Sequence, residues 1–321
     1  MRTAAKVWLI IAAVLVVGGL VLFGIVMSAK QWDFSELGVG GKNQIKTYRI
    51  TEAFQSISME TDTADICFVP SADGTCRVEC CESEQEKHTV VVLNGVLTIR
   101  HVDEREWFER ISLFAETPKI TVYLPAGEYD SLVITEHTGD IELPEAFSFR
   151  TADITASTGD VKTAASAERI AIQTSTGDIA VENVKADTME LSVSTGRVTV
   201  QSVACTGGLS ICVSTGKTQL TDVSCGLLIS TGSTGDLLMK NTVVATMLSI
   251  ERSTGDVRFD GCDAAEITVK TGTGDVTGTL LSDKVFLTET GTGRIDVPKS
   301  TVGGRCEIKT DTGDIKIDTV G

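Results

Sequence analysis

The sequence predicts an all-β chain, a single-domain β-solenoid built from stacked coils of about 19–20 residues. An irregular N-terminal cap and hairpin region opens it, and one transmembrane helix precedes that region. Three observations carry the prediction. A Thr-Gly-Asp turn recurs at a steady period, apolar residues alternate on both sides of each turn, and an uncharged apolar run lies near the N-terminus.

The turn glycines are Gly139, Gly159, Gly177, Gly196, Gly216, Gly235, Gly255, Gly274, Gly293 and Gly313, at spacings of 20, 18, 19, 20, 19, 20, 19, 19 and 20 residues. So steady a period marks stacked repeats. An apolar or small residue stands seven before every glycine, from Leu132 to Cys306. Five before it the position is Ile134, Ile154, Ile172, Leu191 and so on, with Ser230 and Thr288 as exceptions. Two and four after it come pairs such as Ile141 and Leu143 or Val198 and Val200. This period of two is that of a strand with one buried face. Each repeat therefore reads as strand, tight turn, strand and looser return. Glycine supplies turn angles that a Cβ resists, and Asp or Ser bonds the turn's own amides. One unit cannot bury its apolar face alone, but stacked units can, with equivalent residues about 4.8 Å apart.

In order, residues 1–6 form a cytoplasmic N-terminus and 7–27 a transmembrane anchor. Residues 28–44 are a tether, 45–130 the irregular first coils with an inserted hairpin, and 131–321 the regular repeats. Val7 to Met27 is uncharged and long enough for a bilayer, which takes about 20 apolar residues. Arg2 and Lys6 before it place the N-terminus in the cytoplasm and the rest outside, on a cell membrane crossed once. A cleaved signal peptide has a shorter apolar core and a small-residue cleavage site, and here Met27 stands where a small residue belongs. Gly38, Gly40 and Gly41 mark the tether. In the cap, Thr63-Ala64-Asp65-Ile66 reads as a worn repeat turn. Asn94-Gly95 between two β-branched runs reads as a hairpin. A charged stretch from Asp103 to Arg110, with Trp107 and Phe108, precedes the strand Ile120–Leu124. At the far end, the last coil (Ile308 to Ile317) is expected to be an open edge. Lys309, Asp311, Asp314, Lys316 and Asp318 would discourage edge pairing there, or else the edge docks another protein by strand addition.

Phe54-x-x-Ile57 leading into Thr63-Ala64-Asp65-Ile66, Asn94-Gly95-x-Leu97-x-Ile99, Ile120-x-Val122-x-Leu124-Pro125 and the Ser-Thr-Gly-Asp units follow one another in a fixed order. That order resembles the bacterial β-strand-repeat domain of unknown function that carries the label "putative adhesin". The resemblance covers residues 45–321. It implies an envelope β-solenoid without an established enzyme activity, and it leaves the many cysteines unexplained.

The formal charge of −16 becomes −19 for residues 31–321, because Arg2, Lys6 and Lys30 lie before them. So acidic a chain excludes nucleic acid as a partner, since that affinity comes from Lys and Arg on phosphates. No catalytic site is expected. The histidines His88, His101 and His137 sit in no nucleophile motif, and Ser and Thr recur at turns. After Phe149 the only aromatics are Phe259 and Phe286, both inward, which disfavours a sugar-stacking groove along the repeats. An ice-binding face fails because Ala156, Val193 or Val213 interrupts the Thr-x-Thr pattern.

The column after the glycines, Asp140, Asp160, Asp178, Asp236, Asp256 and Asp275, offers calcium ligands between coils, or else plain turn-formers. Arg197, Lys217 and Arg294 break this column, and the Gly-Gly-x-Gly-x-Asp calcium pattern is absent. No cofactor is expected. Thr158, Thr176, Thr195, Thr215, Thr234 and Thr254, each before Gly159, Gly177, Gly196, Gly216, Gly235 and Gly255, form a ladder whose hydroxyls would bond from coil to coil. Cys205 and Cys225 fall at one position of adjacent coils, within disulfide range, although two buried thiols would look the same. Cys262 and Cys306 fall inward and Cys212 outward. Cys67, Cys76, Cys80 and Cys81 cluster near His88, as a disulfide, free thiols or a metal site.

These readings converge on a non-enzymatic, membrane-anchored extracytoplasmic module of the bacterial envelope that binds or scaffolds, adhesin-like or sensing. Its expected partners are the membrane and an envelope protein or glycan. The alternatives are a structural stalk or self-assembling surface subunit, and an envelope polysaccharide hydrolase. A binding module would show a confined patch of breaks in the repeat, such as Arg252 and Ser230–Gly232.

Overall fold

The computed structural model describes residues 3–29, 44–82, 86–103 and 118–320. The chain divides into two compact units: Met1–Asn43 with Ser83–Glu86 and Asp103–Glu116, and Gln44–Glu82 with Lys87–Val102 and Thr117–Gly321. In the first unit, α1 spans Thr3–Ala29. Its described apolar side chains, among them Trp8, Val14, Leu15 and Leu20, are exposed. Most of the tether, and the stretch from Glu104 to Arg110 with Trp107 and Phe108, lie outside the described residues.

The second unit is a β-solenoid. Each glycine-centred coil pairs in parallel with its neighbours, residue over equivalent residue, as in Ile154 beside Ile134 on one side and Ile172 on the other. Buried columns run through the stack. One holds Leu132, Ala152, Ile170, Met189, Leu209, Leu228, Leu248 and Ile267, and a second holds Ile141, Val161, Ile179 and Val198. Apolar burial at roughly 25 cal/mol per Å² makes these columns the main source of stability. At the turn, the glycine amide donates to the threonine carbonyl of the next coil, as Gly139 does to Thr158 at 3.0 Å. Two constraints select glycine there. At Gly159 the φ is 137°, and an added Cβ would stand 2.0 Å from the Gly139 carbonyl oxygen.

The order of coils departs from the order of sequence at both ends. The Ala64 coil (Ser56–Thr63 and Asp65–Pro70) lies between the Gly139 coil and the pair Val96–Asp103 and Lys119–Leu124. At the other end the last coil (Gly304–Thr312 and Ile315–Thr319) is not an edge, which corrects the expectation for Ile308 to Ile317. It lies between the Gly274 coil and the Gly293 coil. Gly274 N–H donates to Thr312, and Gly313 N–H to Thr292. Among the described residues the open end is therefore formed by Lys284–Thr292 and Ile295–Asp296, with Leu287 and Ile295 exposed. The return to the skipped slot passes closely against backbone. A Cβ on Gly303 would meet the Asp283 carbonyl oxygen at 1.8 Å, and one on Gly304 the Ala265 carbonyl oxygen at 1.9 Å.

At the opposite end Cys76–Glu82 runs antiparallel to Lys119–Leu124, and Gln44–Ile50 runs antiparallel to Cys76–Glu82. These two strands extend the sheet past the parallel stack. Strand Glu86–Leu93 turns at Asn94-Gly95 into Val96–Asp103, with φ of 53° and 77° at the turn, the angles of a two-residue hairpin.

Candidate functional site

A groove on the solenoid follows from a change of side-chain size down one column. Tyr129, Phe149, Ala167, Ala186 and Cys205 stack in register. Two rings followed by two methyl groups leave a groove of about 740 Å³ crossing successive coils. Phe54, Tyr129 and Phe149 form a ring ladder at its head, with centroids 6.2 and 5.9 Å apart. The Tyr129 hydroxyl donates to the Pro125 carbonyl at 2.8 Å, and burial pushes its phenol up to about 12. Along the rims stand Glu128, Asp130, Glu168 and Asp187 against Arg150 and Lys185. Arg150 bonds Asp130 at 2.7 Å and holds that carboxyl below the usual range, an exposed pair that contributes little stability. The groove thus offers an apolar floor between polar rims of net negative charge.

The Asp column has a definite role. Each carboxylate accepts the backbone amide of the matching residue in the next coil: Asp140 from Asp160 at 2.8 Å, Asp160 from Asp178 at 2.7 Å, Asp178 from Arg197 at 2.7 Å. Asp236 accepts from Asp256 at 3.2 Å and Asp256 from Asp275 at 2.9 Å. Asp275 accepts from Asp314 and Asp314 from Arg294, in the exchanged order of the last coils. No three of these carboxylates converge into a metal-holding group among the described residues; the group that does is Cys80, Glu82 and His88 in the cap. The ladder threonines Thr158, Thr176, Thr195, Thr215, Thr234 and Thr254 do stack in register, with exposed side chains. Their carbonyls, not their hydroxyls, make the coil-to-coil bonds among the described residues. Near the turn, hydroxyl bonds come from threonines two residues earlier, such as Thr290 and Thr310, which donate to the carbonyls of Gly313 and Gly274.

Cys205 and Cys225 are register partners as expected, but the structure holds both as free thiols. Cys205 Sγ lies 3.1 Å from the Asp187 carbonyl and 3.3 Å from that of Gly208, and burial pushes Cys225 up to about 12. Cys262 and Cys306 are buried and Cys212 is exposed.

The breaks flagged in the repeat form one group. Arg252 points into the core, where its guanidinium donates to Ser230 Oγ at 2.8 Å and Thr218 Oγ1 at 3.4 Å. Gly232 lies beneath it, and a Cβ there would meet Arg252 Nη1 at 2.7 Å. Burial without a facing carboxylate lowers the guanidinium to about 10. Ser230, Gly232 and Thr218 are thus accommodations to one buried cation, closed to solvent. Sequence reasoning missed two features. Glu136 is buried, bonds Thr61 Oγ1 and accepts from the amides of Ala64 and Thr138. A second corner column, Asn183, Ser202, Asp222 and Asn241, has φ of 47–58° and continues to Gly261. Its signal was available, in Asn, Asp, Ser or Gly six residues after the turn glycine.

Residues 54–318 match the Toastrack DUF4097 family model. The chain belongs to that family. Toastrack coils here comprise the glycine turn, the carboxylate ladder and the αL corner described above. No curated protein sequence matches the chain. Among solved structures it is similar to a putative adhesin from Parabacteroides distasonis ATCC 8503, at 10% identity and TM-score 0.45, over 87% of this chain and 98% of that one. A putative lipid binding protein from the same strain matches at 12% identity and TM-score 0.46, over 88% and 98%. A putative adhesin from Bacteroides fragilis NCTC 9343 matches at 12% and 0.39, over 87% and 97%.

Proposed function

We propose that this Toastrack chain is a non-enzymatic binding module held at a bacterial membrane, and that the Tyr129–Phe149–Ala167–Ala186 groove is its binding surface. The groove carries the reading, because an apolar floor between polar rims is the ordinary form of a ligand site. Its rims suit a neutral or basic segment of an envelope protein or glycan lying across the coils.

The membrane assignment rests on the sequence of α1. Among the described residues no helix is long and apolar enough to cross a membrane. In the sequence the uncharged stretch runs from Val7 to Met27. With α1 in the bilayer and Arg2 and Lys6 inside, the solenoid faces outward.

The test places a photo-crosslinking residue at Ser166, on the groove rim, or at exposed Arg258, in intact cells whose membranes are then extracted with alkaline carbonate. The expected result is a membrane-retained partner adduct from position 166, absent from position 258 and lost when Ala186→Phe fills the groove. Equal adducts from both positions, or none that Ala186→Phe removes, would overturn the groove assignment. Release by carbonate would overturn the anchor.

The uncovered Gly293 coil favours a second reading, self-association through the end of the stack. Leu287 and Ile295 are exposed there beside unpaired strand edges. In the same experiment it would appear as adducts between copies of the chain.

A further inference from the structure

The cap holds a cluster that the groove does not use. In strand Cys76–Glu82 the alternation turns Val78, Cys80 and Glu82 inward. His88, on the next strand, is 8% exposed. Counting back from the Asn94-Gly95 turn sets His88 opposite His101 across the hairpin, and their rings lie 5.4 Å apart. Cys80 Sγ, a Glu82 oxygen and a His88 nitrogen lie within 4.8 Å of one another, on three buried residues.

The arrangement is unfinished as a hydrogen-bond network. His88 Nδ1 is the one buried side-chain polar atom without a hydrogen-bond partner among the described residues. Glu82 Oε1 is 3.5 Å from it, but that oxygen already accepts from the Tyr48 hydroxyl at 2.7 Å and the His88 amide at 2.9 Å. A buried nitrogen left without a partner costs about 1–3 kcal/mol, so its retention points to something it binds. We propose that Cys80, Glu82 and His88 bind one divalent transition-metal ion of the zinc class, with His101 as the fourth ligand.

The donor set selects the metal. Thiolate and imidazole suit zinc and its neighbours and reject calcium and magnesium, which take oxygen. Two histidines, a cysteine and a carboxylate complete a four-coordinate tetrahedral shell, each donor of a type that zinc takes. Ligand atoms in such a shell are about 3.5 Å apart, so side-chain rotation of about an ångström closes the cluster. The metal replaces the Cys80 thiol proton, which leaves to solvent. Tyr48 and the His88 amide already fix the carboxylate, which is what outer-shell partners of a metal site do. Lys46, 3.5 Å from Glu82 Oε2 and half-exposed, is free to swing outward as the ion enters. The ion would tie strand Cys76–Glu82 to the hairpin, turning binding energy into stability of the cap.

The test uses the full-length chain in detergent, freed of metal by a chelator and kept reduced, then titrated with Zn²⁺ by calorimetry and with Co²⁺ by absorption. The expected result is one ion per chain, a thiolate-to-cobalt charge-transfer band with intense tetrahedral d–d bands, and a rise in melting temperature with Zn²⁺. Cys80→Ala and His88→Ala each should weaken binding by about 100-fold or more, and His101→Gln, the mildest of the three, by at least about 10-fold, since losing a ligand costs no less than losing an outer-shell partner. Replacing Cys67, Cys76 and Cys81 together by Ser should leave the band in place. A chain that takes up no ion, or a band lost in the triple Ser variant and kept in Cys80→Ala, overturns the proposal. If Cys80→Ala fails to fold, two other results decide: unchanged affinity in His101→Gln overturns His101 as a ligand, and a wild-type cobalt spectrum without a sulfur band overturns Cys80.

Discussion

Asp160 shows how little a turn residue needs in order to hold two coils together. One carboxylate oxygen accepts one amide of the next coil, and the pattern repeats wherever a carboxylate is followed by another coil. Glu136 is the contrasting case, a carboxyl buried where the columns are otherwise apolar or hydroxyl-bearing. Burial raises it to about 7 from 4.5, against the lowering influence of the Thr138 and Ala64 amides. The folded state therefore holds its proton more tightly than the unfolded chain. Stability from this group is full below pH 4.5 and is lost as pH rises towards 7, by up to about 3 kcal/mol. Glu136→Gln, which keeps the shape without the charge, should raise the melting temperature at pH 8 and leave it unchanged at pH 4. Melting curves of both proteins across that range check the sign, and a wild-type advantage at pH 8 would contradict it.

The paired strands around Arg252 show the same competition at the scale of an element. The strand of the Gly235 coil gives up an apolar position to Ser230 and a side chain at Gly232 so that the next strand can bury a guanidinium. Ser230→Ile alone should destabilise the protein by about 2 kcal/mol, since it strips Arg252 of its nearest partner. Combined with Arg252→Met it should give a protein at least as stable as the wild type, because apolar groups then refill the column. Urea denaturation of the two variants measures the coupling, and additive losses would show that the residues act separately. These positions were legible in the sequence as breaks in period, but their joint cause was not, because a period shows where a side chain points and not what it meets. The groove was hidden for a related reason. Ala167 and Ala186 fit the inward pattern as well as any valine would, and only their stacking below Tyr129 and Phe149 makes a cavity.

For the whole stack, the coil period was fully readable and the coil order was not. The steps from Gly274 to Gly293 and on to Gly313 are 19 and 20 residues, the same as elsewhere, so spacing is blind to the exchange. The ladder position is no better a guide. Arg294 in the outer coil cannot accept an amide, but neither can Arg197 and Lys217, which stand at the same position in the middle of the stack; Asp314 sits one coil inside and accepts from Arg294. Amide exchange should report this order directly. The Gly313 and Ile315 amides, bonded to Thr292 and Arg294, should exchange far more slowly than that of Gly293, the reverse of what a stack in sequence order would give. A slower Gly293 would return the last coil to the end.

The exchanged coils also set a timetable for the newborn chain. The Gly293 coil is synthesised before the segment that must lie between it and the Gly274 coil, so its partner exists only once the strands Gly304–Thr312 and Ile315–Thr319 have emerged. The Ala64 coil waits likewise for strands made well after it. The middle coils can form as they appear, one upon another. A chain without the segment from Gly304 to Thr319 is then not a stack shorter by one coil but one with an empty rung, and the emergence of that segment becomes the event that closes the stack.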